Sequence, residues 1–227
     1  MSEQEFEAMR REMVEEVAAN VRFLRDQLGT EALDSRVMDA LGRVPRHEFV
    51  PIELQSYAYL NRPLPIGYEK TISQPFIVAL MTDLLELEPG DTVLEIGTGL
   101  GYQSAILSLL AKQVYSVEII EELADQARQR LARLGCANVE IRLANGWHGW
   151  PAHAPFDKVI VTAAPDLIPP SLITQLKPGG RMVIPAGLAE SQQLMLVSKD
   201  ARGMLATREV LPVRFSELEG NEPPTVV

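Results

Sequence analysis

The sequence predicts an α/β fold, a doubly wound and mostly parallel sheet with an N-terminal helical cap and an antiparallel C-terminal edge. Three observations carry that expectation. From Asp91 onward, short apolar runs alternate with helix-period patterns, as strand–helix–strand units with parallel strands require. A glycine-rich turn, Gly97-Thr98-Gly99-Leu100-Gly101, falls between the first of those runs and the helix that follows it. The last apolar runs follow one another too closely for helices between them, so they must return antiparallel.

In chain order, Val14, Val17, Val21, Leu24 and Leu28 are spaced three and four apart, which puts them on one helical stripe ended by Gly29, with charges opposite. A second short helix is expected around Val37, Met38 and Leu41. The stretch Arg43–Pro51 contains two prolines and breaks regular structure. Irregular chain is expected to continue through Tyr57–Gly67, and a long connection inside a compact chain tends to be functional. Ile77, Leu80, Met81 and Leu84 mark another helix, for which Ser73, two residues before Pro75, is a candidate N-cap. Then come a strand at Thr92–Ile96, a helix near 102–111, a strand at Val114–Val117 and a helix near 121–134. Further strands are read at Val139–Leu143, Asp157–Thr162, Arg181–Ile184, Leu194–Val197 and Leu205–Val210, with Lys177-Pro178-Gly179-Gly180 as a turn before Arg181. Residues 1–88 are thus read as cap and substrate loop, 89–215 as a cofactor-binding core and 216–227 as a tail, loose from Asn221, all within one compact domain.

Composition narrows the function. With 46% hydrophobic residues among 227, the chain can bury a sizeable core. It carries 21 basic against 31 acidic side chains, a net charge of −10, which argues against a nucleic-acid-binding surface. A single cysteine, Cys136, cannot form an internal disulfide, and three histidines without close cysteine or histidine partners give no metal-ligand spacing. A reducing cytoplasm and a metal-free site are therefore expected. Charges recur every few positions in the first thirty residues, so neither a signal peptide nor a membrane span is read there.

The glycine turn lets a ligand approach backbone N–H groups, although strand-to-helix turns also use glycine for packing alone. Two carboxylates sharpen the functional reading. Glu118 ends the next strand about twenty residues on, where a carboxylate can accept hydrogen bonds from ribose hydroxyls. Glu95 sits inside an apolar strand two residues before Gly97, a costly place for a charge without a partner. A nearby Lys or Arg is one possible partner; a cationic ligand is the other. A dinucleotide pyrophosphate over this turn would be repelled by Glu95, and the spacing is G-x-G-x-G rather than G-x-G-x-x-G. S-adenosylmethionine brings an ammonium and a sulfonium, so the charge pattern favours that methyl donor. After the strand at 139–143, Asn145 can offer its carbonyl oxygen to an adenine amino group with Gly146 giving clearance, or the pair can be an ordinary Asn-Gly turn. Trp147 and Trp150 are read as packing residues, and His148 and His153 are given no role.

Taken together, Thr71-Ile72-Ser73-Gln74-Pro75, the stretch Val93–Gln103, Asn145–Trp150, Ala154–Asp157 and Leu176–Arg181 resemble the protein-L-isoaspartate O-methyltransferase family, from about Arg46 to Phe215. The Thr-Ile-Ser-Gln-Pro segment is the specific part; the glycine turn alone indicates only the wider class of S-adenosylmethionine enzymes. The resemblance implies a methyltransferase-type fold and methyl transfer from S-adenosylmethionine to the free α-carboxylate of L-isoaspartyl residues in damaged proteins and peptides, a repair reaction. It implies that Ser73 is the active-site residue. Thr71 and Ile72 would line the junction of cofactor and substrate, and Glu95, Gly97, Thr98, Gly99, Gly101, Glu118, Ile119, Asn145 and Gly146 would serve the cofactor. Ser73, Gln74, Val213, Arg214 and Phe215 would serve the substrate of a monomeric enzyme without nucleic-acid or membrane partners. Two departures stand out. The family usually has an acidic residue where Asn145 stands, and it continues Val-Pro-Leu where this chain reads Ser216-Glu217-Leu218-Glu219. The second opens an alternative, a methyltransferase of the same fold acting on a different carboxylate.

The chemistry asks little of the protein in proton transfer. A carboxylate with a pKa of about 4 is ionised at neutral pH and needs no general base. Orientation and exclusion of water are the main requirements, and the Ser73 hydroxyl can donate to one carboxylate oxygen while leaving the other free. Backbone groups along Val213–Phe215 are expected to pair with an extended peptide as an added strand.

Overall fold

The computed structural model describes residues 1–220, and the loose tail expected from Asn221 lies outside the described residues. Helix α1 spans Glu3–Phe23 and begins earlier than its apolar stripe suggested, because Ser2 and Glu5 form a reciprocal capping box. Its buried line is Phe6, Arg10, Met13, Val17 and Val21. The stripe expected to run unbroken to Leu28 is interrupted at Leu24, after which α2 (Arg25–Leu28) ends on Gly29 with a left-handed φ of 75°. Helix α3 (Ser35–Arg43) is capped by the Asp34 side chain.

The region read as irregular is more ordered than its sequence showed. Short 3₁₀ turns cover Arg46–Phe49 and Ile52–Tyr57. Strands β1 (Leu64–Gly67) and β2 (Lys70–Ile72) then form an antiparallel hairpin. Four residues with a proline among them gave no usable period, and the tight turn is made by Tyr68 and Glu69, both at positive φ, instead of the usual Asn-Gly. Helix α4 (Pro75–Leu84) follows, with Pro75 in its first turn. Its N-cap is Gln74, so the expectation that Ser73 caps this helix does not hold.

The core sheet contains β3 (Thr92–Ile96), β4 (Gln113–Glu118), β5 (Val139–Leu143), β6 (Phe156–Val161), β7 (Leu176–Ala186), β8 (Gln193–Lys199) and β9 (Leu205–Pro212), in the spatial order β5-β4-β3-β6-β7-β8-β9. The first five pair in parallel; β8 and β9 return antiparallel. Helices α5 (Tyr102–Ser108), α6 (Glu121–Arg133) and α7 (Pro170–Gln175) complete the α-structure, α7 being too short for its periodicity to register. Lys177–Gly180 is not a turn before β7 but an irregularity within it: between the pairs Phe156↔Leu176 and Lys158↔Arg181, β7 carries the extra residues.

Alternation along the strands supplies two cores. Val93, Ile160 and Val183 face the layer holding α1, α3, α4 and α5, whereas Leu94, Ile96, Val159, Val161 and Met182 face Trp150, Leu172 and Leu176. Burial on both faces explains why these strands read as continuous apolar runs. The order reverses between β3 and β6, and a crevice opens there above the strand ends.

Candidate active site

That crevice is a cavity of about 760 Å³, within the range of ligand pockets. The glycine turn forms its floor. Gly97 has φ 93°, and a Cβ there would come within 2.4 Å of Thr162 Oγ1, whose hydroxyl donates to the carbonyls of Ile96 (3.1 Å) and Gly97 (2.7 Å). Any side chain would therefore break the contact that fixes the turn. Glu118, at the end of β4, lines the cavity while bracing it: one oxygen accepts the Gly99 N–H at 2.7 Å and the other accepts those of Ile119 and Ile120 at 2.9 and 3.0 Å.

Of the residues expected in the site, Thr71, Ser73, Gln74, Gly97, Gly99, Glu118, Ile119, Gly146, Val213, Arg214 and Phe215 line this one cavity. Ile72, Thr98, Gly101, Glu95 and Asn145 are placed elsewhere. Ile72 is buried in the core. Gly101 makes room for α6, since a Cβ there would lie 3.2 Å from Leu131.

Glu95 is the main correction. Its side chain turns away from the cavity, beneath α5, where it is fully buried and accepts hydrogen bonds from Ser104 Oγ and, at 2.6 Å, Ser116 Oγ. Both hydroxyls meet Oε2, and Oε1 is buried without a hydrogen-bond partner among the described residues. Burial pushes its carboxyl up to about 7, against which the two hydroxyl donors act. Ser116 Oγ also lies 2.6 Å from Thr98 Oγ1, so a chain of hydroxyls links Glu95 to the glycine turn.

Ser73 is held by a residue whose position in the site the sequence did not reveal. Arg46 is completely buried; its Nε donates to the Ala58 carbonyl at 2.8 Å, its Nη2 donates to the Ser73 carbonyl at 2.7 Å, and its guanidinium lies 4.8 Å from the Tyr102 ring centre. Burial lowers its pKa to about 10, which leaves it charged at neutral pH. From the other side, Asn61 accepts the Phe76 N–H at 3.0 Å and its carbonyl accepts from Gln74 Nε2 at 2.9 Å. The loop carrying Ser73 is thus fixed at both ends.

The substrate edge likewise depends on a residue the sequence did not single out. Buried Gln192 accepts the Val213 N–H on its main-chain oxygen (3.1 Å) and the Phe215 N–H on Oε1 (2.6 Å), and its Nε2 donates to the Phe215 carbonyl (3.1 Å). The expected three-residue edge for strand addition is narrowed, because the Val213 N–H and both main-chain groups of Phe215 already have partners. Among the described residues, no hydrogen bond engages the main chain of Arg214 between them.

A glycine turn at the switch point of a mostly parallel sheet, with a carboxylate closing the next strand, defines the nucleoside-cofactor α/β class that includes the S-adenosylmethionine-dependent methyltransferases. The chain belongs to the protein-L-isoaspartate(D-aspartate) O-methyltransferase family, whose model matches residues 19–223. It is 66% identical over 223 residues to protein-L-isoaspartate O-methyltransferase 1 of Polaromonas sp. (strain JS666), covering 98% of this chain and 94% of that one. Protein-L-isoaspartate O-methyltransferase 2 of the same organism is 59% identical, with 92% and 99% covered. A solved protein-L-isoaspartate O-methyltransferase superposes with a TM-score of 0.75 at 31% identity, covering 90% of this chain and 66% of that one. A Plasmodium falciparum protein described as a putative member, in complex with S-adenosyl-L-homocysteine, shares the fold with a TM-score of 0.74 at 21% identity, covering 91% and 98%.

Proposed function

We propose that this protein transfers a methyl group from S-adenosylmethionine to the free α-carboxylate of L-isoaspartyl residues in damaged proteins and peptides. The carrying observation is that one cavity joins Glu118 and the glycine turn to Ser73 and the Val213–Phe215 edge. The residues present suit the cofactor's adenosyl end. Glu118 offers carboxylate oxygens at the end of β4, Ile119 an apolar surface beside it, and Gly146 a clearance that a Cβ, 2.4 Å from Ile96, would remove. When bound, the sulfonium supplies a methyl group that an incoming carboxylate oxygen takes by in-line displacement, leaving a neutral thioether.

The chain's own work is positional. Ser73 Oγ donates to one carboxylate oxygen and leaves the other free to react, with Thr71 and Gln74 beside it. The positive end of the ten-residue α4 faces the same place and favours the negative acceptor by about 0.3–1 kcal/mol. Arg214 places a cation on the lining. We further infer a monomeric, cytoplasmic enzyme; the lone Cys136 supports the reducing location, and among the described residues no helix is long and apolar enough to cross a membrane.

Labelled-methyl transfer to an isoaspartyl peptide, measured beside its normal aspartyl isomer, tests the proposal; equal transfer to both would reject it. In the same assay Ser73→Ala is expected to lower kcat by about tenfold or more, the scale of one lost positioning hydrogen bond, with little change in S-adenosylhomocysteine affinity. Glu118→Ala is expected to do the reverse, weakening S-adenosylhomocysteine in calorimetry.

A further inference from the structure

Past Phe215 the chain does not leave the site. Ser216–Gly220 crosses the cavity as a strap: the Ser216 carbonyl accepts the Ala164 N–H at 2.8 Å, and the Leu218 N–H donates to the Ala164 carbonyl at 3.0 Å. Trp147 Nε1 donates to the Leu218 carbonyl at 3.1 Å, Asn145 Nδ2 donates to the Gly220 carbonyl at 2.8 Å, and Lys70 pairs with Glu219. Ser216, Glu217, Leu218 and Glu219 line the same cavity as Glu118 and Gly146. The Leu218 side chain is buried among Ile96 and Trp147, and its Cδ1 lies 3.3 Å from where a Gly146 Cβ would stand.

Asn145 uses both ends of its amide. Its Oδ1 accepts the Trp147 N–H at 2.9 Å, which closes the 3₁₀ turn Gly146–His148, while its Nδ2 reaches the strap. An aspartate can do the first and not the second. On the other side Gly220 has φ 92°, and a Cβ there would come within 2.5 Å of Asn145 Nδ2. The clasp therefore requires an amide facing a glycine.

We propose that Asn145 is a positioning residue that clasps the C-terminal strap over the adenosyl end of the cavity, making Leu218 a wall of the cofactor site, and that it does not read the adenine amino group. This rests on the methyltransferase reading above. Asn145→Asp separates the two roles, since it keeps an acceptor oxygen and loses the donor. Calorimetry with S-adenosylhomocysteine is expected to show affinity falling about three- to tenfold in Asn145→Asp and in Asn145→Ala alike, the scale of one lost hydrogen bond. Gly220→Ala breaks the clasp from the strap side and is expected to give the same loss, with circular dichroism confirming the native fold. S-inosylhomocysteine, which lacks the exocyclic amine, is expected to be discriminated from S-adenosylhomocysteine by the same ratio in wild type and variants. Wild-type affinity in Asn145→Asp, or a ratio that collapses in Asn145→Ala, overturns the clasp. A wild-type protein that binds no S-adenosylhomocysteine removes it together with the methyltransferase reading.

Discussion

Glu95 carries a fully buried carboxyl whose protonation the fold controls. A carboxylate in the middle of an apolar strand is costly, and the sequence correctly marks it as a residue that must have partners. It cannot say on which side of the sheet those partners lie. The period of two puts Glu95 on the face of Val93, under α5, where Ser104 from nine residues on and Ser116 from the neighbouring strand converge on it. A titration test follows. With the folded carboxyl raised to about 7 from an ordinary 4.5, the native state binds more protons than the unfolded chain between those values. Stability therefore falls as pH rises through that window and levels off above it, by on the order of 3 kcal/mol in full. Glu95→Gln stays neutral throughout, so urea unfolding is expected to show this variant losing the pH 5 to 8 decline of the wild type; parallel declines would exclude Glu95 as its source. Arg46 and Gln192 were not legible for a related reason. Each forms its bonds with main-chain groups 12 to 27 residues away, and nothing in the local pattern marks an arginine or glutamine as the holder of a distant carbonyl.

At the scale of elements, long periodic segments were legible and short ones were not. Strands β3, β4 and β5 and helix α6 fall within a residue or two of their expected ends, because each carries a full apolar repeat and sits in a βαβ unit. The β1–β2 hairpin and α7 were invisible because three to six residues hold too little of any period. The hairpin turn also uses residues that disfavour its conformation. Glu69 is exposed at φ 57°, where an L side chain crowds its own backbone. Glu69→Gly is expected to raise stability by about 0.5–1 kcal/mol, read as a higher melting temperature with unchanged activity. A lower melting temperature would mean that the glycine's added freedom in the unfolded chain outweighs the relieved strain.

For the whole molecule, a net charge of −10 meets an acceptor that is itself a carboxylate, so long-range attraction cannot gather the substrate. Raising ionic strength from about 20 to about 150 mM shortens the screening length. For an isoaspartyl peptide rich in acidic residues kcat/KM is expected to rise, and for one rich in lysine to fall; the opposite pair of trends would place a local cationic patch in control. The two positions where the sequence departs from its family's pattern, Asn145 and the segment from Ser216, are 75 residues apart at their contact and joined by one hydrogen bond. The sequence by itself determined the sheet, the glycine turn, Glu118 at the strand end and the Ser73 loop, since each is written in a local period or a short motif. Only the tertiary structure decided that Glu95 faces a helix, that Arg46 and Gln192 hold the reactive edges, and that the last described residues strap the cavity. Those contacts depend on which distant backbone groups the folded sheet brings within hydrogen-bonding reach, and local sequence carries no record of that.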